Sequence, residues 1–311
     1  MATPKTDSLP LPLRGIVPPM VTPLADRDRL DLDGLARLIE HILGGGVHGL
    51  FILGTTGEAP SLSYRLRREL VERTCRQVAG RVPVLVGITD TAFVESVSMA
   101  RFASDCGAAA VVAAPPFYFP AGQPELVEYL EHLAAELPLP LFLYNMPSHT
   151  KLVFEPETIR AAAAMPGIVG LKDSSGDLAY FRRVVEIVKG APRFTLLVGP
   201  EMILAECMSL GAHGGVNGSA NLAPRLLVDY YNAIAARDAD ALRLLGQRVK
   251  FINEKVYGVG RHPSSYIKGL KCALALLGIC SDFMAEPFHR FRGPERETIR
   301  RYLEEMGLRT Q

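Results

Sequence analysis

Lys172 closes the apolar run Ile168-Val169-Gly170-Leu171, so an amine stands where a buried strand gives out. Partial burial disfavours the ammonium and favours the neutral amine, the nucleophile that condenses with a ketone to form an imine. An ion pair with Asp173 or another carboxylate, or a phosphate site, would use the same residue differently. Tyr144 ends a comparable run, Leu141-Phe142-Leu143, and its phenol can move protons or simply cap a core. Gly54-Thr55-Thr56-Gly57-Glu58 follows the run Leu50-Phe51-Ile52-Leu53. Two hydroxyls and the amides between glycines can hold a carboxylate and leave one hydroxyl for proton relay, although an ordinary capped turn reads the same way. Tyr118, in Pro115-Pro116-Phe117-Tyr118-Phe119-Pro120, adds a second phenol or an aromatic subunit contact. An amine, phenols and an anion clamp at the ends of four apolar runs are compatible parts of Schiff-base chemistry on a small oxo acid.

Such groups need a scaffold that brings strand ends to one side. Eight short apolar, β-branched runs recur at 15–21, 49–53, 82–88, 109–115, 139–145, 168–173, 194–199 and 214–218. Their spacing leaves room for one crossover helix each, and continuous rather than alternating apolarity marks strands covered on both faces. The segment 32–43 shows the helical counterpart, with Leu35, Leu38, Ile39 and Ile42 on one face and Asp31 and Asp33 at its start. Eight such units predict a (β/α)8 TIM barrel, whose C-terminal strand ends carry the active site. An open doubly wound sheet is the alternative, but the first turn reads Pro18-Pro19-Met20-Val21 and carries no glycine fingerprint. Helical patterns continue at 224–255, 263–277 and 295–306, interrupted by Gly258, Gly260 and Pro263. The predicted organisation is a flexible N-terminal arm at 1–12, the barrel at 13–235 and a C-terminal helical extension at 236–311.

Composition removes several other functions. The 311 residues carry 34 Lys+Arg against 33 Asp+Glu, with no basic run that would track a nucleic-acid backbone. The N-terminus lacks the apolar core of a signal peptide and no run of 18 apolar residues follows, so a cytoplasmic protein that meets no membrane is expected. Five cysteines without CxxC spacing and seven histidines without HxH or HExxH grouping predict neither a disulfide framework nor a metal site. Gly44-Gly45-Gly46-Val47-His48-Gly49 contains GxGxxG, but it follows a helix and precedes a strand, the reverse of a dinucleotide site.

The set Gly54-Thr55-Thr56-Gly57-Glu58, Pro116-Phe117-Tyr118, Tyr144-Asn145-Met146-Pro147 and Gly170-Leu171-Lys172-Asp173, in that order, resembles the dihydrodipicolinate synthase/N-acetylneuraminate lyase family. The likeness runs from about Gly15 to at least Leu277. It implies that Lys172 is the Schiff-base lysine, that Thr55 and Thr56 bind the carboxylate of a 2-oxo acid such as pyruvate, and that Tyr144 is the acid/base. It further implies that Tyr144 exchanges protons through Thr55 with Tyr118 of a neighbouring subunit, hence a homodimer or homotetramer. Gly199, Glu201, Asn217 and Ser219 fall where the family contacts substrate after strands seven and eight. Neither a metal nor an organic cofactor is implied.

One position departs from that pattern. Tyr144-Asn145-Met146-Pro147-Ser148-His149-Thr150 has His149 where dihydrodipicolinate synthases carry an arginine that grips the second substrate's carboxylate. An imidazole cannot reproduce a bidentate guanidinium clamp. The expectation is therefore reversible aldol cleavage of a 2-keto-3-deoxy sugar acid or a related compound into a 2-oxo acid and an aldehyde. Four alternatives stay open: cleavage of a sialic acid, condensation of pyruvate with aspartate semialdehyde, a non-catalytic 2-oxo-acid sensor, and a pyridoxal phosphate lysine.

Overall fold

Strands and helices alternate through the computed structural model, which describes residues 9–310. The strands β1 (Gly15–Ile16), β2 (Leu50–Ile52), β3 (Val84–Gly87), β4 (Ala110–Ala113), β5 (Leu141–Asn145), β6 (Ile168–Asp173), β7 (Thr195–Val198) and β8 (Gly214–Gly215) form one sheet in the order β1-β8-β7-β6-β5-β4-β3-β2. Pairing is parallel and the fold is a (β/α)8 barrel with added C-terminal helices. The first strand is shorter than its apolar run because Pro18 and Pro19 offer no N–H to a ladder.

The order of the sheet leaves β1 and β2 as its two ends, and His48 joins them. Its amide donates to the Ile16 carbonyl at 2.8 Å, and its Nδ1 accepts from the Ile16 amide at 3.1 Å. Burial lowers the pKa of this imidazole, which suits the neutral ring that accepts. Gly15 is required opposite it: at φ +99° a Cβ would stand 2.2 Å from the His48 ring.

The chain divides into two compact units. Of the described residues, the first contains 9–17, His48–Phe51 and Ala79–Val216. Leu85, Val112, Phe142, Tyr144 and Leu197 share its core cluster with Leu9, Leu13 and Phe51. Strand residues of the opposite parity, such as Val84, Val86, Val111, Leu143 and Leu196, are buried as well, the two-sided burial that a continuous apolar run encodes. Of the arm expected over 1–12, residues 1–8 lie outside the described residues. Leu9 is buried, and the Leu13 amide donates to Thr195 Oγ1 at 2.9 Å.

The second unit contains Pro18–Val47, Ile52–Val78 and the chain from Asn217 onward. A hairpin of Leu24–Asp26 with Arg29–Leu30, for which the sequence carried no prediction, is tied by Leu24 to Phe283. The helical pattern over 224–255 resolves into two helices, Pro224–Ala236 and Ala239–Phe251, followed by a wider turn at Ile252–Val256. Arg237 breaks the run at φ 55°, and the Asp238 side chain caps the second helix by accepting from the Ala241 amide at 3.0 Å. No helix among the described residues is long and apolar enough to cross a membrane.

Candidate active site

Parallel register sets the two central groups abreast, with Tyr144 of β5 opposite Lys172 of β6 and Asn145 opposite Asp173. Strand alternation sends Lys172 and Asp173 to opposite faces. Lys172 Nζ lies 3.9 Å from the centre of the Tyr144 ring and 5.0 Å from that of Phe51, and it is hydrogen-bonded to the Tyr144 side chain. Phe51 meets Tyr144 edge to face at 6.5 Å. Only 5 % of Lys172 is exposed. Burial is the largest influence on its amine and pulls the pKa below 10.5, while Tyr144 and the carboxylate of Glu201 pull the other way.

Asp173 does not serve as the lysine's counter-ion. Its Oδ1 accepts from Asn145 Nδ2 at 2.8 Å and from the Ser175 amide at 3.1 Å, and its Oδ2 accepts from Ser175 Oγ at 2.9 Å. Asn145 Oδ1 in turn accepts from the Phe154 amide at 3.2 Å, and Tyr180 Oη donates to the Phe154 carbonyl at 2.7 Å. This buried network clamps the register of β5 on β6 and thereby the pairing of Tyr144 with Lys172. Burial raises the Asp173 carboxyl against these donors. Asn145→Ala strips a donor from that carboxylate and leaves the Phe154 amide unmet, a loss of about 2–3 kcal/mol in urea unfolding. A loss below 0.5 kcal/mol would show that the network does not clamp the two strands.

Two of the other first-unit candidates, Glu201 and His149, are coupled to Lys172 electrostatically. Glu201 is buried at the start of a single 3₁₀ turn, Glu201–Ile203, and acts on Lys172 electrostatically. The Gly199 amide donates to the Asp173 carbonyl at 2.8 Å, and a Cβ there would strike Ser174 Oγ. His149 sits in the short helix Pro147–Thr150, its Nδ1 2.9 Å from Ser148 Oγ. Desolvation, then the charges of Lys151 and Lys172, lower its pKa, so near neutrality it is an uncharged ring. Tyr118 stands apart from them: it is 88 % exposed at φ 90° and packs edge to face on exposed Phe119.

Four candidates belong to the second unit. Thr55 and Thr56 occupy the turn that follows β2, where Leu53 and Glu58 both adopt positive φ. Thr56 is buried, and Thr22 Oγ1 donates to the Gly57 carbonyl at 2.7 Å. Asn217 and Ser219 flank and enter the 3₁₀ turn Gly218–Asn221, both fully buried. Asn221, absent from the sequence prediction, accepts from the Val21 amide and donates to the carbonyls of Pro19 and Gly218, all at 2.9 Å. Glu58, the last residue of the threonine motif, turns out to be structural: Oε1 takes the Lys271 ammonium and Oε2 the Ala285 amide at 2.9 Å. Lys271 was missed, and its signal was a lone cation inside the apolar stretch Gly269-Leu270-Lys271-Cys272-Ala273-Leu274. Among the described residues, no group of three or more His, Cys, Asp or Glu side chains is gathered for a metal ion.

Comparison with known proteins places this arrangement. The model of the dihydrodipicolinate synthetase family matches residues 12–306. An uncharacterised DapA-like lyase of Halobacterium salinarum is 33% identical over 299 residues, 96% of each chain. The structure of dihydrodipicolinate synthase from Bacteroides thetaiotaomicron is 57% identical and superposes with a TM-score of 0.93 over 96% of this chain and 100% of that one. A prophage protein of the dihydrodipicolinic acid synthase family from E. coli K12, solved in complex with pyruvate, is 29% identical with a TM-score of 0.89 over 96% and 99%.

Proposed function

The chain belongs to the dihydrodipicolinate synthetase family of lyases, and on that premise we propose that Lys172 captures a small 2-oxo acid as a Schiff base for reversible aldol cleavage or condensation. The observation that carries this reading is a buried amine whose pKa is held down by burial and which is hydrogen-bonded to a strand-end phenol. The neutral amine adds to the C2 carbonyl, the resulting hydroxyl leaves as water with the proton of Tyr144, and the protonated imine becomes an electron sink beside the Tyr144 phenolate. Tyr144 takes the proton from the C4 hydroxyl as the C3–C4 bond breaks and its electrons enter the imine, leaving an aldehyde and an enamine. Protonation of the enamine at C3 and hydrolysis return the oxo acid and the free lysine. In the reverse direction Tyr144 protonates the aldehyde oxygen. Thr55 and Thr56 are assigned the substrate carboxylate, and Glu201, Gly199, Asn217 and Ser219 the remaining substrate contacts. Tyr118 and its exposed aromatic neighbour are assigned to a subunit contact in a homodimer or homotetramer.

A hydroxylated substrate, such as a 2-keto-3-deoxy sugar acid, is the preferred partner class because uncharged His149 offers one hydrogen bond rather than a carboxylate fork. Condensation with aspartate semialdehyde is the second reading, favoured by the synthase activity named for the 57% identical Bacteroides protein. The test is incubation with pyruvate and borohydride across a pH series, followed by peptide mapping and a screen of aldehydes and sugar acids. An adduct confined to Lys172 is expected, formed at a rate that rises with pH and levels off below the 10.5 of an ordinary lysine, since the amine is already depressed. No adduct in folded protein would overturn the proposal. Adduct formation without turnover of any partner would leave a 2-oxo-acid sensor.

A further inference from the structure

The second unit carries a cleft of about 480 Å³ whose walls are unusually cationic. Arg261, Lys268, Arg290 and Arg292 line it with His262 and His289, against a single lining carboxylate, Glu295. Among the described residues, Arg290 alone of these four basic side chains is held by an ion pair, 3.3 Å from Asp282, which Arg296 also shares at 2.7 Å. Among the described residues, Arg261, Lys268 and Arg292 form no ion pair with a side chain.

Lys268 is the most informative of these. It lies in the first turn of the helix Ser265–Leu276, a turn without an acidic residue, and it is 7 % exposed. A cation there opposes the helix dipole, whose positive end is at that terminus, and burial adds a desolvation cost. The helix Gly293–Glu305 also begins at the cleft, with Arg292 as its N-cap residue. Like charges gathered at two helix starts destabilise the folded chain unless an anion sits among them. Gly260 keeps this geometry tight: at φ +107° a Cβ there would strike Ser265 Oγ at 2.4 Å, and the Ser265 hydroxyl accepts from the His262 amide.

We propose that this cleft in the C-terminal helices is a binding site for a small, multiply charged oxyanion, carried as phosphoryl groups or as carboxylates. Guanidinium forks match the paired oxygens of either group, and Lys268 supplies a buried point charge at the base. The site involves none of the residues assigned to Schiff-base chemistry.

The full-length protein should be titrated calorimetrically at low ionic strength with pyrophosphate in one arm and citrate in the other. Saturable binding with one site per chain is expected in at least one arm, weakening as sodium chloride is added, and the tighter arm identifies the group that the cleft prefers. Lys268→Met should weaken it about tenfold or more, the loss of one charge-assisted contact, and the surface double variant Arg261→Gln/Arg292→Gln, which removes two, should weaken it at least as much. The double variant keeps the test decisive if the buried substitution fails to fold. Absence of saturable binding in both arms, binding that survives the double variant, or binding removed by Lys172→Met would overturn the proposal.

Discussion

Replacing Lys172 by methionine is expected to abolish the borohydride-trapped adduct and to cut turnover by about 10⁴-fold or more, as removal of a covalent nucleophile does, while the unfolding midpoint stays level or rises. The two halves of this expectation come from one observation. The Lys172 amine is buried against the rings of Tyr144 and Phe51, and the neighbouring carboxylate of Asp173 is committed to Asn145 and Ser175. Holding an amine there costs desolvation that an apolar side chain of similar length does not. A residue retained at a cost to stability is one that the chemistry needs. Lys172→Arg is the matching control: it keeps a cation but stays protonated at any working pH, so it too should fail to form an adduct. Intact-mass trapping and urea unfolding on the same preparations measure both halves. A trapped adduct in either variant would move the nucleophile elsewhere, and a marked loss of stability in the methionine variant would make Lys172 a structural partner.

Much of this was legible in the chain because the barrel writes itself as a rhythm of apolar runs. Each run ended within a few residues of an observed strand, and the residue after or at its end, Thr55, Tyr144 or Lys172, was where chemistry was sought. Strand parity decided what spacing could not. Lys172 and Asp173 are adjacent in sequence, and an ion pair between them was a fair alternative until alternation placed them on opposite faces. The helical pattern over 224–255 was legible, but its division was not, because its apolar periodicity passes through Arg237 and Asp238, where a local cap starts a second helix. The partners of Glu58 were invisible for a different reason. Glu58 and Lys271 are separated by 213 positions, and no local periodicity reports a contact of that range. The motif therefore read as one functional unit, whereas its glutamate is committed to Lys271 and Ala285 and the proposed carboxylate-binding role rests on its threonines alone.

The largest stability effect is expected at that pair. The Glu58 and Lys271 side chains are 1% and 0% exposed, and the carboxylate completes its set with the Ala285 amide while the ammonium donates to the Phe283 carbonyl at 2.6 Å. Every charge is met, so the pair tolerates its burial, and the two backbone partners tie the segment after the helix Ser265–Leu276 to the turn that carries Thr55 and Thr56. Glu58 also sits at φ 56°, a conformation that a non-glycine residue keeps only when its surroundings hold it. Lys271→Met leaves Glu58 charged and unpaired, and Glu58→Leu does the converse to Lys271, so each should cost about 3–5 kcal/mol. The double variant buries no charge, and its loss should fall well short of the sum of the two, with the unmet Ala285 amide and Phe283 carbonyl as the remainder. Urea unfolding of all four proteins at one fixed concentration closes the cycle, since any assembly adds a concentration-dependent contribution. Strict additivity would mean that the two groups do not depend on each other. The contrast with Lys172 follows from partners rather than from burial: both lysines are taken out of water, Lys271 is paired directly with the Glu58 carboxylate, and Lys172 is set against the Tyr144 phenol with Glu201 acting on it only electrostatically, the setting that the proposed Schiff-base role requires.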